Sequence, residues 1–210
     1  MSSSNLVRLS GLAAVLGGVL FLVAELLSFA TETEDLRRGE WATTTPFLLT
    51  WSLFLFGGVL LLIGLVGLYV RQSEAAGIYG LLGFVAAFLG TALAVGAIWS
   101  QLFIVPDLGA EPSMANPAGV PRVADQPVGA FGFSQSFFVC FPLGWGLFGA
   151  TTLTARVYPR AAAIALVVGA FLAYLPVPLS GIVLDAAVAW LGFILFTGRG
   201  ETAPQPSRVS

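Results

Sequence analysis

Four long stretches of this 210-residue chain contain no charged side chain, and each exceeds the ~20 residues that a helix needs to cross a bilayer. They cover residues 41–70, 75–106, 126–155 and 161–184. Charged residues make up 10% of the chain and hydrophobic residues 57%, whereas soluble domains have about 25% and roughly 45–50%. The sequence therefore predicts an all-α, polytopic protein of the cell membrane, with the lipid bilayer as its main partner.

Hydropathy and turn signals divide residues 1–197 into six helices that form a single transmembrane domain. Thr45 followed by Pro46 marks one helix start, and five prolines fall within 106–127, where we expect an irregular loop. The outer loops are expected at 30–45 and 105–127, and the polar segment 198–210 as a disordered tail. The predicted helices cover about 5–29, 46–70, 75–104, 128–155, 160–175 and 179–197.

The positions of the basic residues predict the orientation of this six-helix bundle. All nine are arginines, and six of them fall on the side that carries both termini. Because cytoplasmic loops are enriched in basic residues, we expect the N and C termini in the cytoplasm. The six are Arg8, Arg71, Arg156, Arg160, Arg199 and Arg208, and the other three are Arg37, Arg38 and Arg122.

The first helix has a second interpretation. "SFA" at 28–30 resembles a signal-peptidase site, which would make this helix a cleaved signal peptide. Against this, its apolar region of about 20 residues is long for a signal, and Glu25 would lie close to the cut.

The residue types that are missing exclude several kinds of chemistry. The chain has no histidine and only one cysteine, Cys140, so that a disulfide within the chain and a Cys/His metal site are excluded. The commonest general base is also missing. The net charge of −2 gives no reason to expect nucleic acid as a partner. We therefore predict no metal, no cofactor and no catalytic residue, and we favour a protein that is not an enzyme.

Two acidic residues, Glu25 and Asp185, lie within the predicted spans. A charge at the bilayer centre costs at least ~2.5–3.5 kcal/mol, and such residues usually face protein or water. Both acids continue stripes of small residues, one of which is Gly11, Gly18 and Glu25 at intervals of seven. The other stripe contains Gly181, Ala189 and Gly192 around Asp185. Because small residues let helices pack closely in membranes, we expect both carboxyl groups to face protein.

Other polar residues are predicted at the same depth, near the outer ends of the helices. Together with Glu25 and Asp185 they predict an outward-facing polar pocket that binds a ligand or a proton. Each carboxyl group could be protonated, share a proton with the other, accept hydrogen bonds from glutamine or bind a cation. The expected pocket residues are Ser100, Gln101, Ser134, Gln135 and Ser136, with Thr50 and Ser52 in the same layer.

These observations leave three functional hypotheses open. The first is a small transporter-like carrier that binds a small molecule, a cation or a lipid at the two carboxyl groups. The second is an accessory or scaffold subunit of a membrane complex, or a homo-oligomer, in which the acids only specify packing. The third, a membrane enzyme acting on a lipid, has the weakest support because no nucleophile or metal motif accompanies the acids. The composition, rich in alanine and with arginine as its only basic residue, is typical of high-GC bacterial genomes.

Overall fold

The computed structural model describes residues 3–31, 44–104, 132, 135–175 and 177–198. All the regular elements in these ranges are helical, which confirms the all-α prediction. A six-residue π-helix, Gln135–Cys140, runs directly into one of the α-helices. The α-helices are α1 (Ser3–Thr31), α2 (Thr45–Phe103), α3 (Phe141–Ala155), α4 (Arg160–Leu172) and α5 (Ile182–Thr197).

Helix α2 is a hairpin of two helical arms, 45–76 and 78–103, joined at Gly77. Gly77 has φ 55° and ψ −144°, a conformation that side chains with a Cβ rarely adopt. The arms fold back on each other, and their contact is seen in the rings of Tyr69 and Phe84, which stack with centroids 4.5 Å apart. The predicted helices 46–70 and 75–104 placed this turn at 71–74, and that position is wrong. The charged residues at 71–74 remain helical, and the chain reverses at the next glycine.

The described residues contain six helical segments, which pack one on the next in a closed ring. In order around the ring these are α1, the first arm of α2, the second arm, the π-helix with α3, then α4 and α5, which packs on α1 again. Glycines provide the close approaches: a Cβ on Gly64 would lie 2.7 Å from Ala14, and a Cβ on Gly144 would lie 2.5 Å from the carbonyl oxygen of Ala86. Such small-residue contacts are typical of helices that associate in lipid.

One buried hydrogen bond joins the second arm of α2 to α3. The indole Nε1 of Trp145 donates to the hydroxyl oxygen of Thr91 over 3.1 Å, and both side chains are fully buried. Thr91 in turn donates its hydroxyl proton to the carbonyl oxygen of Ala87 in its own helix. The indole N–H, the one polar group of the Trp145 side chain, therefore has a hydrogen-bond partner, as is usual for a buried tryptophan.

The two ends of the bundle differ in charge. The basic end carries Arg8, Arg71, Arg156 and Arg160, and the acidic end carries Glu25 and Asp185. At the basic end, the turn after α3 is held to α2 because the hydroxyl of Tyr158 donates to the carbonyl oxygen of Leu68. Burial raises the pKa of the Tyr158 hydroxyl, and the positive charge of Arg71 partly opposes that rise.

Three of the described helices are long and apolar enough to cross a membrane: Asn5–Thr31, Thr45–Phe103 and Phe138–Ala155. Two shorter apolar helices, Arg160–Leu172 and Ile182–Thr197, accompany them. Helix α4 ends at Leu172, whereas the sequence predicted its end at 175. Helix α5 begins at Ile182, whereas the sequence predicted its start at 179. The expected loop at 105–127 and the tail from residue 199 lie outside the described residues, as does 32–43 of the first loop.

Candidate functional site

The two stripes of small residues pack against each other at the contact between α1 and α5. A Cβ on Gly18 would lie 2.6 Å from the backbone oxygen of Asp185, and one on Gly11 would lie 2.9 Å from the oxygen of Gly192. The two helices run in opposite directions, so Glu25 at the far end of α1 meets the start of α5. The seven-residue spacing therefore predicted correctly which face of α1 is buried.

Glu25 occupies the N-terminal end of α5. Its carboxyl group lies against Gly181, close to the first backbone N–H groups of that helix. The absence of a side chain at Gly181 allows this close approach, because a Cβ there would displace the Glu25 Oε1 atom. Helix N-termini have unpaired N–H groups and a partial positive charge, and both favour a carboxylate. A side chain of α1 thus caps α5.

The local sequence explains why α5 starts at this position. Pro178 lacks an N–H group, and Leu179 adopts a left-handed conformation with φ 62°. The next backbone bond runs from the N–H of Ile182 to the carbonyl oxygen of Leu179, over 3.3 Å. Asp185 follows in the first turn of the helix, where an acidic residue is favourable.

A cavity of about 50 Å³ lies beside this helix start, and both carboxyl groups line it. Asp185 is only 3% exposed, and its Oδ2 atom is buried without a hydrogen-bond partner in the described structure. The Oε2 atom of Glu25 is buried and unpartnered in the same way. The remaining lining comes from Phe21, Phe138, Phe141, Pro142, Ala173, Ser180, Gly181 and Leu184.

The size and chemistry of this cavity limit what can occupy it. A water needs at least ~10–15 Å³, so about 50 Å³ accommodates on the order of three waters or one small ion. Drug-sized ligands occupy pockets of about 300–1,000 Å³. Among the described residues, no group of three or more His, Cys, Asp and Glu side chains lies together to hold a metal ion. Two carboxyl groups in an apolar cavity therefore fit a proton, water or a monovalent cation.

The other residues predicted for the pocket do not join this cavity. Ser100, Gln101, Gln135 and Ser136 are partly buried, but none of them lines it. The Ser100 hydroxyl instead donates to the carbonyl oxygen of Ala97 within its own helix. Ser134 lies outside the described residues. Depth along the helices was therefore insufficient to predict which residues line the cavity. Residues at the same depth can face different directions, because depth does not give the rotation of each helix about its axis.

Sequence reasoning did not identify the parts of the site that come from the α4–α5 connection. Ser180 and Gly181 both line the cavity, and Gly181 is in contact with Glu25. A signal for them was present: serine and glycine before an apolar run, with an acid in the first turn, indicate the start of a helix. No pattern in the sequence links that start to Glu25, about 155 residues away along the chain.

Comparison of the chain with protein-family models, curated proteins and solved structures gives no match. Any functional proposal therefore depends on the geometry of the site.

Proposed function

We propose that this protein is a multi-pass membrane protein that binds a proton or a monovalent cation between the carboxyl groups of Glu25 and Asp185. One observation carries the proposal. Each carboxyl group has a buried oxygen without a hydrogen-bond partner, and both groups line the same small cavity. A buried ion without a partner costs several kcal/mol or more, so the site is stable only when a positive species or a proton compensates it.

The charges around the site favour a single added positive charge. The partial positive charge at the N-terminal end of α5 favours a negative charge on Glu25, which lies against Gly181. Asp185 is buried and receives no hydrogen bond on Oδ2, and a charge on it would be a second negative charge in the cavity that Glu25 also lines. We infer that the pair holds one proton, and that a monovalent cation replaces this proton when it binds.

We further propose that α1, both arms of α2 and α3 with its π-helix cross the bilayer, with both termini in the cytoplasm. The basic end of the bundle supports this orientation, since cytoplasmic loops are enriched in arginine. A reporter enzyme that is active only in the cytoplasm, fused after residue 210, should then be active in cells. Activity only of a reporter that requires the external compartment would contradict the orientation.

The binding proposal predicts a cation-dependent melting temperature. In detergent, the purified protein should melt at a higher temperature in NaCl or KCl than in choline chloride at the same ionic strength, because a bound cation stabilises the folded state. The increase should grow with pH, since a carboxyl group must lose its proton before it can be a ligand. Thermal unfolding followed by circular dichroism measures it.

The variants Glu25→Gln and Asp185→Asn test whether the two carboxyl groups are responsible. Each retains the size of the side chain and one amide oxygen, so the fold should persist while the response to Na⁺ and K⁺ disappears. Gln101→Ala and Ser136→Ala are matched controls, because both residues are polar but do not line the cavity. An undiminished response in both carboxyl variants, or no cation response in the wild type between pH 5 and pH 9, would refute the proposal.

A purely structural role is the second candidate, and the cap on α5 favours it. If Glu25 only holds α1 to α5, Glu25→Gln should keep most of the stability because its amide oxygen retains an acceptor at the start of α5. Glu25→Leu should lose the cap at a cost of about 0.5–2 kcal/mol, the usual range for helix caps. Under this alternative neither wild type nor variants respond to the identity of the cation.

A further inference from the structure

We propose that the tip of the α4–α5 hairpin, residues 173–175 and 177–181, lies within the lipid and contacts acyl chains instead of water. This inference rests on the proposed insertion of the bundle in a membrane. The surface concerned is the outer side of this tip, which closes the cavity. The binding proposal does not involve that surface.

The lengths of the two helices place the tip below the membrane surface. Helices α4 and α5 have 13 and 16 residues, or about 20 and 24 Å, whereas the hydrocarbon core is about 30 Å thick. Helix α1 continues for six residues beyond Glu25 to Thr31, or about 9 Å. Since the Glu25 carboxyl group lies against Gly181, α5 begins about 9 Å short of the end of α1.

The first backbone N–H groups of the tip have partners within the protein. The N–H groups of Ala173, Tyr174 and Leu175 donate to the carbonyl oxygens of Gly169, Phe171 and Leu172 at 2.8–3.2 Å. The N–H of Val177 donates to Leu175 over 2.8 Å, and the prolines at 176 and 178 have no N–H group. Non-helical backbone at membrane depth requires that its polar groups find partners within the protein. The described donors from 173 to 178 meet this condition, whereas the N–H groups of Leu179 and Ser180 have no backbone partner among the described residues.

The exposed side chains of the tip are apolar. Phe171 is 71% exposed, Tyr174 45% and Val177 53%. The chain carries no charged residue from 161 to 184, although turns between helices in water are usually polar. Because this surface continues the exposed apolar faces of α4 and α5, lipid acyl chains are the occupant that fits it.

Site-directed spin labelling in phosphatidylcholine vesicles tests the depth of the tip. Cys140 is first replaced by alanine, and single cysteines are then introduced as Val177→Cys at the tip, Leu93→Cys and Arg156→Cys. Leu93 is an exposed residue in the second arm of α2, and Arg156 lies in the turn at the basic end. Collision with oxygen reports lipid, and collision with a water-soluble nickel chelate reports water.

We expect Val177→Cys to resemble Leu93→Cys, with frequent oxygen collisions and a loss of nickel collisions relative to Arg156→Cys. A label at 177 that collides with nickel as often as the label at 156, while 93 stays in lipid, would overturn this inference alone. Nickel collisions at 93 as well would overturn the membrane insertion on which it rests. Circular dichroism of each labelled protein checks that the helices are retained.

Discussion

Glu25 and Asp185 are chemically alike, but the structure gives them different surroundings. Glu25 is half-buried at the start of α5 and lies against Gly181, whereas Asp185 is 3% exposed within the first turn of that helix. Two carboxyl groups in unequal environments around one cavity are a common arrangement for holding and releasing a proton. The pair is therefore better described as one site than as two separate buried acids.

Gly181 provides a direct test of the contact between Glu25 and α5. In Gly181→Ala the new methyl group occupies the position of the Glu25 Oε1 atom, and the flexible side chain swings away from the helix start. We expect the free energy of unfolding to fall by about 0.5–2 kcal/mol, as for loss of a helix cap. Titration with sodium dodecyl sulfate in mixed micelles measures this change.

Two comparisons make that test specific. Gly96→Ala adds the same methyl group where no atom lies within 4 Å, so it should cause no loss. In a protein that already carries Glu25→Ala, the substitution Gly181→Ala should cost much less, because the contact is gone. Equal costs with and without Glu25 would show that the methyl group acts through something else.

Single residues also show where sequence reasoning stops. The spacing of Gly11, Gly18 and Glu25 predicted the buried face of α1, since helical periodicity is a local property. The partner of Glu25 at Gly181 was not predictable, because it depends on how α1 and α5 align along their axes. Ser100 and Gln101 were placed at the site by depth, although neither residue lines the cavity.

At the scale of the elements, turns and helix ends are the least predictable features. The charged residues at 71–74 suggested a turn, but a helix can present such residues to water at its end without breaking. Gly77 is the point of reversal because the required backbone angles, φ 55° and ψ −144°, favour glycine. Those angles are set by the packing of the two arms, which is not encoded in any short stretch of sequence.

The substitution Gly77→Ala isolates this backbone requirement. A Cβ at Gly77 would meet no atom within 4 Å, so any cost comes from backbone strain, which is about 1–3 kcal/mol for such conformations. Gly96→Ala is the matched control, because that glycine is helical and has equally open surroundings. Detergent-unfolding curves should show a loss for the first variant and none for the second. Equal stabilities of the two variants would contradict the assigned turn.

For the whole molecule, composition predicted an all-helical fold with long apolar helices, and the structure confirms that much. The uncharged stretches made this possible, because hydrocarbon requires helices or closed barrels with internally paired backbones. The closed ring of helical segments required tertiary information, since glycine-rich apolar helices are compatible with many neighbours. The α4–α5 hairpin shows the same limit, as its helices are shorter than the apolar sequence that contains them.

The most direct test of the central claim is whether Glu25 and Asp185 share an exchangeable proton that a cation displaces. Infrared difference spectroscopy of the protein in lipid vesicles detects the carbonyl band of a protonated carboxyl group and its shift in D₂O. We predict such a band in the wild type at neutral pH, its decrease when NaCl or KCl replaces choline chloride, and its absence in the double variant Glu25→Gln/Asp185→Asn. The same band in the wild type and the double variant, unchanged by the cations, would contradict the account.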